Sequence, residues 1–452
     1  MIRCLSCRKS KMKISNKPVM IIVSTLFFNR IGNQSLLETV KQYVKKYHVV
    51  FITSASRKND YYMNVKQAKS YFNDNDIDFF FVYQIIPNFL RALKNVFFKI
   101  NIRPKSLPKT MASNLQNMSY GKLHVLSCNF MEIFLYFSLK RLVKLFSPHV
   151  ICAYEIFAVR PVLKIKNKKS VSGSIKYIAK FQGTVLGFDY DKTNILDIYK
   201  RYKYDIEVFK LCNQFDVCAI TNDGTNGFKV LNYFGVDSSK ILYEPNGIST
   251  NIKDMKPMIR VDMNFNCIDT INLFTLSRLI GWKRVNLTIE IMNKLVNDFS
   301  NFKYRLNIYG HGTKEEITVL NNLIALYNLQ KYVFLHGPVL HDALKHVYND
   351  NHIMLSLYKY TNVTNPVLEA IFLNKPLISL HDSNLDMLLK NINTDRIYLC
   401  ADKGDEYIIN DISNYLNTAI FEFSNDKIDT CDAFDWEKRI MKEISILEKG
   451  SI

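Results

Sequence analysis

Thr270 to Arg284 reads T-I-N-L-F-T-L-S-R-L-I-G-W-K-R. The apolar run Thr270 to Leu279 has the pattern of a buried strand, and Val285, Ile289, Met292 and Val296 then recur at helical spacing. A strand end, a short loop and a helix N-terminus thus carry Arg278 and Lys283 together. That is what an anionic phosphate needs: oriented N–H groups plus fixed positive charge. Two basic residues in a loop are ordinary, but the unit repeats. Tyr304 to Tyr309 (Y-R-L-N-I-Y) runs into Gly310-His311-Gly312 and a helix, and Tyr332 to Leu335 (Y-V-F-L) runs into His336-Gly337-Pro338-Val339 and a helix starting near His341. Strands alternating with helices predict a parallel, doubly wound sheet whose ligands collect at the carboxyl ends of its strands.

A fourth segment, Asn362 to Glu369 (N-V-T-N-P-V-L-E), precedes A-I-F-L-N-K-P-L-I-S. Pro366 suits the first helical position and Asn365 the N-cap before it. Glu369 is then expected in the first turn, where an acid also complements the helix dipole with no further role. Towards the N-terminus, Met20 to Leu26 reads as a strand, Asn29 to Gln34 as a loop holding Gly32 and Asn33, Ser35 to Lys46 as a helix and His48 to Thr53 as a strand. Later strands are Val150 to Tyr154, followed by Glu155; Ile175 to Phe181, followed by Gln182-Gly183-Thr184; Phe215 to Thr221, followed by Asn222-Asp223-Gly224-Thr225; and Ile241 to Gly247. The polar stretch Ile248 to Asp269 fits a connector, and Phe434 to Leu447 a final helix.

The ordered series S-R-L-x-x-W-K-R, I-Y-G-H-G, F-L-H-G-P-V and N-P-V-L-E-A-x-x-x-N-K-P-L-I-S, over roughly a hundred residues, resembles the donor half of retaining GT-B glycosyltransferases of the glycosyltransferase 4 (group 1) type. The resemblance implies an α/β fold of two doubly wound, Rossmann-like domains facing across a cleft. The divisions it suggests are a basic leader, expected to be disordered, at 1–18; an acceptor-side domain at 19–247; a nucleotide-sugar domain at 248–430; and a helix at 431–452 that packs back on the first domain.

It also implies site roles. Arg278 and Lys283 would hold the diphosphate of a nucleotide sugar, Glu369 would accept from the ribose hydroxyls, and Gly337, Pro338 and Val339 would lie against the base. Gly310 and the segment Thr361, Asn362, Val363, Thr364 and Asn365 would complete the donor site. The loop with Gly32 and Asn33 would face the phosphates across the cleft, where the family usually has a glycine pair. Gln182 stands where the family often has a histidine, near the reacting sugar, and can only hydrogen-bond there.

One departure is Thr361, where the family usually has the first of two glutamates and that glutamate approaches the transferred sugar. The sugar's identity is therefore open. The implied activity is hexosyl transfer to a glycan or lipid-linked acceptor in surface polysaccharide or glycoconjugate synthesis, with no cofactor beyond the donor substrate and no metal. A nucleotide-sugar epimerase on the same fold and a non-catalytic subunit of a glycan-assembly complex are the competing readings.

Composition agrees with two globular domains: 452 residues, of which 48% are hydrophobic. No apolar run reaches the roughly 18–20 residues that cross a bilayer, and the basic start lacks a signal-peptide cleavage site. Nine scattered cysteines argue for reduced thiols and a cytoplasmic setting rather than a disulfide framework. The lone C-x-x-C of Cys4 and Cys7 has no second pair to hold a metal, and Met12 offers an alternative start. The net charge of +19 calls for an anionic partner. No nucleic-acid-binding motif is legible. Phe89 to Lys105 mixes aromatics with Arg91, Lys94, Lys99, Arg103 and Lys105, a pattern shared by a segment lying on an anionic membrane surface and by a helix with a solvated basic face; the first reading would place the protein at the inner face of the membrane.

Overall fold

The computed structural model describes residues 17–32, 34–54, 61–73, 80–84, 122–168, 175–186, 195–255, 270–299, 303–390, 392, 396–418 and 434–449. Asn33, the leader up to residue 16 and the basic aromatic segment Phe89 to Lys105 lie outside them.

Seven strands form the first sheet: β1 (Val19–Ser24), β2 (His48–Thr53), β3 (Phe80–Gln84), β4 (Val150–Tyr154), β5 (Lys176–Phe181), β6 (Val217–Thr221) and β7 (Ile241–Glu244). Six form the second: β8 (Ile271–Leu276), β9 (Tyr304–Tyr309), β10 (Val333–Gly337), β11 (Ile353–Ser356), β12 (Leu377–Leu380) and β13 (Ile397–Cys400). Every pairing is parallel. The orders are β3-β2-β1-β4-β5-β6-β7 and β10-β9-β8-β11-β12-β13. Helices cover both faces, so β2, β4, β6, β11 and β12 are buried at every residue and read as apolar runs rather than alternations.

In each sheet the winding reverses once, at β1/β4 and at β8/β11, and such a reversal opens a crevice at the carboxyl edge. The loops after β8 and β11 carry two of the four sequence motifs. β8 stops at Leu276, short of the expected Leu279, although the loop after it stays bonded to the segment after β9, Ser277 N–H donating to Tyr309 O and Leu279 N–H to His311 O. β7 stops at Glu244 because Pro245 has no N–H for the ladder. β3, β11, β12 and β13 had no reading in the sequence.

The last helix, Trp436–Lys449, lies against the first sheet, with Ile440, Ile444, Ile446 and Leu447 in the core beside β1, β2 and β4. A buried ion pair ties it down: Lys180 Nζ on β5 stands 2.5 Å from Glu443 Oε2, at 3% and 0% side-chain exposure, and Tyr43 also donates to Glu443. Removing one member of such a pair leaves a buried charge alone. Lys180→Met is therefore expected to cost about 3–5 kcal/mol, and Lys180→Met with Glu443→Leu to recover most of it. Urea midpoints of the three proteins check this, and a single variant as stable as wild type refutes it.

Candidate active site

The carboxyl edges of the two sheets enclose a cavity of about 690 Å³, within the 300–1,000 Å³ typical of small-molecule sites. Gly32 and Gln182 line it from the first sheet's side. From the other side come Arg278, Lys283, Gly310, Val339, Thr361, Val363, Thr364, Asn365 and Glu369. Gly337, Pro338 and Asn362, also expected at the donor, are not among its walls.

Arg278 owes its position to a glycine. A Cβ on Gly310 would lie 1.7 Å from Ser277 O, so only glycine lets the loops after β8 and β9 pass this closely. Arg278 is exposed to the cavity, whereas Lys283 is buried at 7% exposure, its ammonium 3.5 Å from the Tyr358 ring centre and 4.0 Å from that of Trp282. Burial, and then the charge of Arg278, push the Lys283 ammonium well below the ordinary lysine value, while Asp223 across the cavity pulls the other way. Arg284 closes the turn in a left-handed conformation, φ +48°, holding Asp402 and Asp405 at 2.9 and 2.5 Å.

The helix carrying Glu369 runs Asn365–Phe372. Its N-cap is Thr364, so Asn365 is the first helical residue and Glu369 falls in the second turn, a correction to the expected first. Asn365 does not cap because its Oδ1 accepts from Asn246 Nδ2 at 2.8 Å. Asn246 also donates to Ser35 and accepts from Arg439 of the last helix. One amide thus joins both sides of the cleft to the C-terminal helix. Glu369 is 1% exposed, and Tyr348 donates to its Oε2 at 2.6 Å.

Asn362 is turned away from the cavity. Its Oδ1 accepts from Ser356 Oγ and Tyr358 N–H, its Nδ2 donates to Tyr358 O, and its own N–H donates to Asp382, so it shapes the loop after β11. Thr361 donates to Asp223 O at 2.6 Å, and Gly224, at φ +79°, has no room for a Cβ, which would fall 1.9 Å from Thr361 Oγ1. A glutamate at 361 would be larger and its carboxylate could not donate to that carbonyl. The threonine therefore goes with a loop after β6 that closes directly onto the second sheet's side. Asn384 adds a bond to Gly224 O.

Gly32 lines the cavity, but its N–H donates to Val339 O, and His341 N–H donates to Arg30 O. The expected phosphate-facing amide is thereby engaged in a bridge between the two sides of the cleft. Gln182 donates through Nε2 to Tyr154 Oη at 2.6 Å and through its backbone to Glu155 Oε1 at 3.0 Å. Glu155 and Asp223 also line the cavity and were noted in the sequence only as polar residues after strands. Burial raises Glu155 to about 7 and Asp223 to about 6. The signal that could have found them is position: each is among the first polar residues after a strand of a doubly wound sheet.

Among the described residues no helix is long and apolar enough to cross a membrane. Residues 270–417 match the family model "Glycosyl transferases group 1". No curated protein matches the sequence. Among solved structures, Anabaena HepE in complex with UDP-glucose is similar with a TM-score of 0.61 at 11% identity, over 95% of this chain and 99% of that one. Sucrose-phosphate synthase from Thermosynechococcus elongatus is similar at 0.58 and 13%, over 95% of each chain. WaaG, a glycosyltransferase involved in lipopolysaccharide biosynthesis, is similar at 0.58 and 11%, over 96% and 100%. The fold is GT-B, and its second half carries a group 1 glycosyltransferase domain.

Proposed function

We propose that this protein moves a hexosyl group from a nucleoside-diphosphate sugar to a glycan or lipid-linked acceptor in glycoconjugate synthesis, with retention at the anomeric carbon, as glycosyltransferase 4 enzymes do. The observation that carries the reading is Arg278 and Lys283 side by side on one wall of a nucleotide-sized cavity at the β8/β11 reversal. A diphosphate leaving group gains negative charge in the transition state. Fixed cations therefore stabilise that state more than the ground state, which is the requirement for catalysis. In this reading the two side chains supply the neutralising charge without a metal, and Glu369 receives the ribose hydroxyls.

The test is a thermal-shift screen of nucleotide sugars and free nucleoside diphosphates, beginning with UDP-glucose and UDP. A ligand bound only by the folded state stabilises it by about 2.7 kcal/mol at a hundred times its Kd, a shift readily seen in Tm. A matching donor is expected to raise Tm and to yield nucleoside diphosphate on incubation. A flat response to every nucleotide refutes the reading.

A further inference from the structure

The helix Lys122–Phe146 leads into β4 and packs on the first sheet. Its Leu135, Leu139, Leu142 and Val143 are buried in one core with Ile21, Val23, Val50 and Ile52. The opposite face, read at steps of three and four residues, is Ile133, Phe134, Phe137, Arg141, Lys144 and Leu145. All six are exposed, Phe137 at 61% and Ile133 at 43%. A helix on a globular surface ordinarily turns its polar side to water, whereas this one turns out two phenyl rings and two aliphatic chains. Scattered exposed apolar residues are normal, but four on one face with basic residues among them mark an interaction surface. We propose that this face docks on the surface of an anionic bilayer.

Charge decides the partner. The only acid in this helix is Glu132, which is 3% exposed and faces the Tyr204 hydroxyl and, at 3.8 Å, Arg160. The outer face therefore carries positive charge alone, from Arg141 and Lys144 with Lys140 beside them. Lys168, after the neighbouring helix Ile156–Lys166, adds to it, its ammonium 5.1 Å from the Tyr136 ring centre. A bilayer takes both kinds of group, rings and aliphatic chains at the headgroup boundary and cations at the lipid phosphates. A second copy of this face would set like charges against each other. A nucleic acid would neutralise the cations but leave Ile133 and Phe137 in water.

The face also has a direction. Residues 147–149 alone separate the helix from β4, so it runs back along the sheet antiparallel to that strand. From Phe146 back to Ile133 a helix travels about 20 Å, and a five-residue strand rises about 17 Å. Lys144 therefore stands near the amino edge of the sheet, and Ile133 and Phe134 near the carboxyl edge, the edge that holds the cavity. A bilayer on this face adjoins the carboxyl edge, where a lipid-linked acceptor would enter. That consequence for the acceptor rests on the glycosyl-transfer reading above; the docking does not.

Co-sedimentation of the full chain with phosphatidylcholine vesicles holding about 30% phosphatidylserine tests the docking. Wild type is expected to bind these, to bind pure phosphatidylcholine vesicles roughly tenfold more weakly or worse, and to lose affinity as salt rises from ~0.1 to ~0.5 M. Lys140→Gln with Lys144→Gln is expected to lower binding roughly thirtyfold, at about fivefold per charge, and to flatten the salt dependence. Phe134→Ser with Phe137→Ser is expected to lower it about tenfold or more and to keep the salt dependence. Should the ring pair melt early, Phe137→Ser alone replaces it, at the most exposed position of the face. No binding by wild type, or unchanged binding in either double variant, overturns the proposal. A dimer in solution that the ring variant dissolves, without vesicle binding, gives the face to a second copy and overturns it too. A flat response in the nucleotide screen refutes the transfer reading and leaves the docking standing.

Discussion

Lys283→Met is expected to lower turnover by about a hundred- to a thousandfold, the loss that follows removal of one preorganised transition-state charge, while leaving the melting temperature unchanged or higher. The two halves of this result follow from one fact. Lys283 is buried and its ammonium is pushed well below the ordinary lysine value, first by desolvation and then by Arg278. A base whose folded pKa is depressed destabilises the fold at every pH where the unfolded chain would hold the proton, so deleting its charge removes a penalty. A methionine keeps the stem packed between Trp282 and Tyr358. The wild-type rate should also fall as pH rises through the lowered lysine value, an alkaline limb the variant lacks. Kinetics and melting curves on the two proteins check both halves. Normal turnover in Lys283→Met removes the phosphate role.

Glu369→Gln is expected to weaken donor binding by about 1.5–3 kcal/mol, roughly ten- to a hundredfold, because an ionised acceptor is replaced by a neutral one of the same shape. The fold should tolerate it. Tyr348 can donate to the amide oxygen of glutamine as it does to Glu369 Oε2, and the second-turn position gives the carboxylate little of the dipole stabilisation confined to the first turn. Calorimetric titration with the donor beside a melting curve separates the roles. Unchanged affinity with an early melt would show that Glu369 serves the helix and not the ribose.

The motif loops were legible because their chemistry is local. Arg278 and Lys283 follow one apolar run and precede one helical period. Neighbours in sequence decide such features. Asn362 shows where this reasoning stops, since it stands amid the donor motif yet binds Ser356, Tyr358 and Asp382 inside its own half. Sequence places a side chain on a loop but not on one face of it.

By itself, then, the sequence determined the alternation of strands and helices, hence two doubly wound sheets with their loops gathered at the carboxyl edges, because burial on both faces writes apolar runs that no other architecture needs. It also determined which basic residues stand at the second sheet's edge. Only the tertiary structure decided what faces them. Glu155 and Asp223 lie more than fifty residues before the cations, their oriented oxygens and raised pKa values come from burial that no local pattern records, and Thr361 takes its meaning from a carbonyl 138 residues away. Contacts across a cleft depend on how two sheets meet, which is set by the sum of many long-range packings rather than by any short run of the chain.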